Sequence, residues 1–124
     1  MDFFRRRFIL IADDNHDLAL TLSVLLKLIG FDVDTVHDGR DAVTSARTRR
    51  PDILLLDIGL PGLNGYEVAG LFRSDAKLKD VLIIAISAYS PDTFAGRYDQ
   101  SIFDHYLLKP VDFKTLVPLL RKLA

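Results

Sequence analysis

The sequence predicts an α/β fold: a single doubly wound sheet of five parallel strands with helices on both faces. Three observations carry this expectation. Two short apolar runs each stop abruptly at carboxylates, a third run is aliphatic almost throughout, and helical periodicity fills the intervals. Ile53-Leu54-Leu55-Leu56, set between Pro51 and Gly59, is too short for a helix and too uniformly apolar for a half-wet strand. It reads as a strand buried on both faces. Asp57 then ends that strand, and in open parallel sheets the ligand crevice lies outside those ends.

The elements follow in order. Phe8-Ile9-Leu10-Ile11-Ala12 is a first buried strand, halted by Asp13 and Asp14. Leu18, Leu22, Leu25, Leu26 and Ile29 recur at i, i+4, i+7, i+8 and i+11, the stripe of an amphipathic helix, and Gly30 is its natural stop. Phe31 to Val36 alternates apolar and polar residues, as expected of a strand near a sheet edge. Asp38-Gly39 marks a turn into a short helix with Ala42, Val43 and Ala46 inward, and the chain re-enters the sheet after Pro51. A loop from Gly59 to Asn64 leads to a third helix marked by Val68, Leu71 and Phe72.

Val81-Leu82-Ile83-Ile84-Ala85-Ile86 is the most hydrophobic run and predicts a central strand ending at Ser87. Alternation then calls for a fourth helix over 91–101. Thr93, Gly96, Tyr98 and Asp99 are indifferent or poor helix formers, so a short or mobile element is expected there. His105-Tyr106-Leu107-Leu108 predicts a fifth strand, cut off by Lys109-Pro110. Asp112 can cap a last helix with Phe113, Leu116, Val117, Leu120 and Leu123 inward and a kink at Pro118. Five strands alternating with five helices leave few right-handed topologies. The flavodoxin-like order 2-1-3-4-5 sets the ends of strands 1 and 3 side by side, which makes Asp13, Asp14 and Asp57 neighbours.

Composition bounds the function. The 124 residues are expected to form one domain, 1–124, burying roughly two-thirds of the unfolded chain's surface. Sixteen Lys and Arg against 17 Asp and Glu give a net charge of −1, which supplies no overall footprint for nucleic acid or an anionic membrane. Neither is expected as a direct partner. No cysteine is present, so disulfides and thiolate metal sites are excluded. The longest uncharged apolar-rich stretch, 81–91, falls far short of the ~20 residues that span a bilayer. The start, Met1 to Arg7, puts bulky apolar residues before basic ones, unlike a signal peptide. A cytoplasmic location is the expectation.

Three carboxylates in one crevice repel, at ~5 Å and an effective dielectric of ~20 by about 3 kcal/mol per pair. A cation must offset this. Oxygen ligands without sulfur or imidazole suit a hard ion, Mg²⁺ or Mn²⁺. Lys109, at the end of strand 5, can reach in from the side. A cation-flanked carboxylate can act as nucleophile toward phosphorus, giving an aspartyl phosphate at Asp57. The metal and Lys109 would neutralise charge on the transferring oxygens, and Ser87 could hydrogen-bond the phosphate.

These residues resemble the receiver domain of two-component response regulators. The resemblance covers essentially the whole chain: Asp13-Asp14-Asn15 after strand 1, Leu56-Asp57-Ile58 with Leu60-Pro61-Gly62 and Asn64-Gly65-Tyr66-Glu67, Ser87-Ala88 after strand 4, and Lys109-Pro110. It implies two-component phosphorelay signalling, with Asp57 as phosphoacceptor from a phosphohistidine and Asp13, Asp14, Asp57 and the Gly59 carbonyl as metal ligands. It further implies Lys109 as the phosphate-contacting lysine, a Ser87/Tyr106 conformational switch and a cis Lys109-Pro110 bond. The implied partner is a histidine kinase or histidine phosphotransfer domain. The run from Asp57 to Gly62 is similar to receivers of hybrid sensor kinases, so a covalently attached kinase or output domain is also implied. No enzyme activity beyond the domain's own phosphotransfer and dephosphorylation is expected. The chain departs from the family at Ile102, where a glycine is usual, and in the composition of the fourth helix.

Plainer readings exist for each residue. Asp13 or Asp14 could cap a helix, Ser87 could be a turn residue, Tyr106 could be packing and Lys109 a solvated lysine. His16, His37 and His105 lack metal-ligand spacing and read as surface or packing residues. Arg5 to Arg7 and Arg47 to Arg50 read as solvated ends. A haloacid-dehalogenase-like phosphohydrolase would need a second acid where Gly59 stands. A flavin-binding domain would need a Ser/Thr-rich loop after strand 1. The remaining alternative is a receiver-like interaction module that is never phosphorylated, against which Asp57, Lys109 and Ser87 together argue.

Overall fold

The computed structural model describes residues 6–94 and 96–123. Residues 1–5, and with them most of the N-terminal stretch read above, lie outside the described residues. The elements are β1 (Phe8–Ala12), α1 (His16–Leu28), β2 (Asp32–Val36), α2 (Gly39–Thr48), β3 (Ile53–Asp57), α3 (Gly65–Ser74), β4 (Leu82–Ser87), β5 (His105–Leu108) and α4 (Phe113–Leu123). Between β4 and β5 stand two 3₁₀ turns, Pro91–Phe94 and Gln100–Ile102. All strand pairs are parallel and the order is β2-β1-β3-β4-β5, as the topology rules require.

Alternation along each strand splits the interior into two layers. Leu10, Ala12, Leu54, Leu56, Ile83 and Ala85 face α2, α3 and the 3₁₀ segment. Ile9, Ile11, Ile53, Leu55, Ile84 and Ile86 face α1 and α4. Both faces are covered, so the central strands can be apolar at every position. β2 lies at the edge, and Asp34 is exposed on it.

Capping explains where the helices begin. The Asn15 side chain accepts from the Leu18 amide, Asp38 from Asp41, and Asp112 from Lys114. Asn64 and Glu67 form a reciprocal capping box. Gly65 brings α3 close to the end of β3: a Cβ there would lie 2.7 Å from Ile58 Cα.

Two sequence expectations need correction, while the short element expected over 91–101 is present as the two 3₁₀ turns, which leaves four helices where strict alternation calls for five. The aromatic residues of that stretch pack sideways: Tyr98 stacks on Tyr66 at 4.2 Å and Phe94 meets the same ring edge-on. Asp99 also accepts from the Ser101 amide, starting a new turn where a helix would have continued. In α1 the buried residues are Ala19, Ser23 and Leu26, while Leu18 and Leu25 are exposed, as are Leu20, Val24 and Leu28. In α3 Leu71 is exposed, and Tyr66 and Ala69 are buried beside Val68 and Phe72. Periodicity finds an apolar stripe but not which edge of it the sheet covers.

Arg73 ties this irregular region to the sheet. Its guanidinium donates to the carbonyls of Ile102, Lys79 and Val81 and to the Asp104 carboxylate, which also accepts from the Ile83 amide.

Candidate functional site

Register gathers the site. Ala12 pairs with Leu56, Asp57 with Ile86, and Ser87 with Leu108, so Asp13, Asp57, Ser87 and Lys109 come to the carboxyl end of the sheet in one row. Asp13 and Asp57 are each 6% exposed, and Ser87 is 2% exposed; Asp14 is exposed. Ligand oxygens of Asp13, Asp14 and Asp57 all lie within 4.8 Å of one another.

The Lys109 ammonium donates to Asp57 Oδ2 at 2.9 Å and stands 3.8 Å from Asp13 Oδ2. The other Asp57 oxygen accepts from the Gly59 amide at 3.0 Å, and Asp13 Oδ1 accepts from the Asn15 amide at 2.9 Å. One ammonium against three carboxylates leaves two negative charges uncompensated, which suits a divalent ion with oxygen ligands. The donor set fits such an ion, and the cluster is suited to hold one. Burial, joined by the Asp57 charge, holds the Asp13 carboxyl above its usual range despite the Asn15 bond. For Lys109, burial opposes the charge, but the hydrogen bond and charge of Asp57 outweigh it and hold the ammonium above its usual value.

A cavity of about 440 Å³ opens beside this cluster, and Asp57, Ser87 and Lys109 all line it. Ser87 Oγ accepts from the Tyr89 amide at 3.0 Å, while the Tyr106 hydroxyl donates to the Tyr89 carbonyl at 2.8 Å. Tyr106 thus lies beside Ser87, and the two side chains also share the backbone of Tyr89. Burial holds the Tyr106 hydroxyl above the ordinary value. The Lys109-Pro110 bond is cis.

Residues 9–121 match the response regulator receiver domain. The chain belongs to that family. Among similar receiver-containing proteins, the DNA-binding response regulator MtrA of Mycobacterium tuberculosis is 39% identical over 121 residues, covering 98% of this chain and 51% of that protein. The chain therefore spans about half the length of these curated relatives. Among solved receivers, the response regulator TrrA of Thermotoga maritima, in complex with Mg²⁺ and BeF, is 32% identical with a TM-score of 0.83, over 95% of this chain and 99% of that one. The receiver domain of a sensor histidine kinase from Pseudomonas aeruginosa, with magnesium in its active-site cleft, is 30% identical with a TM-score of 0.85, over 95% of this chain and 97% of that one. Receiver domains serve two-component phosphorelay signalling, and the acidic pocket found here fits a divalent metal and a phosphorylation site.

One residue bordering the site has no motif to announce it. His37 Nδ1 is 2.9 Å from the backbone carbonyl of Asp13, and its ring stacks on His16 at 3.6 Å. The packing expected of these histidines is present, with a contact to an acidic-pocket residue added. The strand order was the available signal, because it brings the residue after β2 beside the residue after β1.

Proposed function

We propose that this receiver accepts a phosphoryl group on Asp57 from a phosphohistidine of a histidine kinase or histidine phosphotransfer domain. The observation that carries the reading is the convergence of Asp57, Lys109 and Ser87 on one cavity beside the three-carboxylate cluster. An Asp57 oxygen forms the new bond to phosphorus as the bond to the donor imidazole nitrogen breaks, and the bonding pair leaves with the ring. Asp13, Asp14, Asp57 and the Gly59 carbonyl would hold Mg²⁺, or Mn²⁺, as the magnesium in the related receivers suggests. When bound, the ion supplies charge neutralisation at the phosphoryl oxygens. Lys109 stabilises the same developing charge from the side.

Ser87 can turn its hydroxyl to the phosphate, which releases the Tyr89 amide now bonded to it. Tyr89 also holds the Tyr106 hydroxyl through its carbonyl, so Ser87 and Tyr106, whose side chains lie next to each other, would work as a switch with the Tyr89 backbone bonded to both. Water attack at phosphorus breaks the bond to the Asp57 oxygen, which returns the carboxylate and releases inorganic phosphate, and no other catalysis is assigned. The matched residues 9–121 are read as one receiver domain working in the cytoplasm, with a kinase or output domain attached in a longer protein. The length shared with MtrA supports the last point. Among the described residues no helix is long and apolar enough to cross a membrane, and neither membrane nor nucleic acid is assigned as a direct partner.

Intact mass after incubation with Mg²⁺ and a small phosphodonor tests the reading. One phosphoryl adduct is expected on the parent chain and none on Asp57→Asn. An unmodified parent chain would leave the alternative, an interaction module that is not phosphorylated.

A further inference from the structure

The turn from Val36 to Gly39 touches both loops that carry the acidic pocket. On one side it grips Asp13 at its backbone: the Asp13 amide donates to the Val36 carbonyl at 3.0 Å, and His37 Nδ1 meets the Asp13 carbonyl at 2.9 Å. A carbonyl only accepts, so Nδ1 carries the hydrogen. The His16 ring, stacked within 16° of parallel, holds the imidazole in that plane. On the other side the Gly39 amide donates to the Pro61 carbonyl at 3.2 Å. A Cβ at buried Gly39 would overlap the Leu63 carbonyl, so glycine is required for this approach. The turn itself is anchored by Asp38, which caps α2 through the Asp41 amide.

We propose that this turn is a brace that sets the spacing of the two metal-carrying loops, and that His37 is its positioning residue for the divalent ion. The inference rests on the reading of Asp13, Asp14 and Asp57 as metal ligands. Asp13 is buried, and its carboxylate is held by the Asn15 amide with the Lys109 ammonium 3.8 Å away, so where that carboxylate stands depends also on how its backbone is held. Partners that orient metal ligands contribute affinity although they never touch the ion. His37 contributes in this way through the carbonyl of the residue whose side chain binds.

Mg²⁺ titration of the full chain, followed by the amide signals of Asp57 and Gly59 in NMR, tests this. His37→Ala should raise the half-saturating Mg²⁺ concentration about tenfold, at the low end of what outer partners of metal ligands contribute. His37→Asn keeps a nitrogen donor the same number of bonds from the backbone and should stay within roughly threefold of the parent, whereas His37→Gln, with its donor one bond further, should resemble alanine. A structural role alone would lower the melting temperature of all three without separating Asn from Gln in Mg²⁺ affinity. Equal half-saturation in parent, Asn and Gln chains, or equal weakening in Asn and Gln, overturns the brace even where the alanine variant does not fold. A parent chain that does not respond to Mg²⁺ overturns the metal reading, and the brace falls with it.

Discussion

The Lys109 ammonium donates to Asp57 Oδ2 at 2.9 Å from the end of an adjacent-but-one strand, and its side chain is only 26% exposed. The pair spans β4, so the lysine can hold the acceptor carboxylate while leaving the cavity side of the site open. Removing one partner of a shielded pair leaves the other uncompensated.

Lys109→Met should therefore destabilise the metal-free protein by about 2 kcal/mol, the worth of a hydrogen bond between charged groups. Urea unfolding with and without Mg²⁺ measures it. The Mg²⁺-induced gain should be larger in the variant than in the parent, because three carboxylates then face the ion without an internal cation.

Asp13→Asn should have the opposite sign. It removes a buried charge that repels Asp57, so the metal-free protein should be stabilised by about 1 kcal/mol, or roughly 3–6 °C in melting temperature for a domain of this size. The rise in melting temperature produced by Mg²⁺ in the parent, expected from binding to the folded state alone, should shrink or vanish. A metal-free variant less stable than the parent would contradict the repulsion.

The pH dependence follows from the same carboxyl. Burial holds Asp13 above its ordinary 3.8, so the fold binds that proton more tightly than the unfolded chain. Its contribution to stability is complete below pH 3.8 and is lost as pH rises through the raised value. Asp75 is held low by the Lys77 amide and by Arg47, and its contribution is lost as pH falls from 3.8 through the lowered value. Thermal melts in EDTA should thus show stability rising as pH falls through the raised Asp13 value, then falling below about pH 4. With saturating Mg²⁺ the first trend should reverse, since protons then compete with the ion.

Tyr106→Phe keeps the ring against Phe103 and removes the bond to the Tyr89 carbonyl. The cost should be about 1 kcal/mol. The Tyr89 and Ser87 amide signals should shift in NMR, and beryllofluoride with Mg²⁺ should no longer move residue 106 and Ser87 together. Unchanged signals at Tyr89 would break the proposed link.

Gly65→Ala tests the close approach that sets the acceptor loop against α3. The added methyl would lie 2.7 Å from Ile58 Cα and 3.0 Å from the Asp57 carbonyl. A loss of roughly 1–3 kcal/mol is expected from overpacking, with phosphorylation of Asp57 slowed because the backbone carrying it must move.

The strands and their terminal residues were legible in the sequence because the signals are local. An apolar run broken by Asp13, Asp57, Ser87 or Lys109 marks both a strand and its end. The parallel alternation then restricts strand order enough to bring those ends together. What lay beyond the sequence depends on partners distant along the chain. Which edge of the leucine-rich α1 is buried was decided by the sheet beneath it, leaving Leu20, Val24 and Leu28 exposed. That 91–101 holds only a short element was legible from its poor helix formers, but where its aromatics pack, Phe94 and Tyr98 against Tyr66, was decided by the fold. His37 came to touch the backbone of a pocket residue because β2 lies beside β1 and sets the ring against the Asp13 carbonyl. Periodicity and turn residues act over a few neighbours, whereas these three outcomes depend on side chains and backbone that only folding brings into contact.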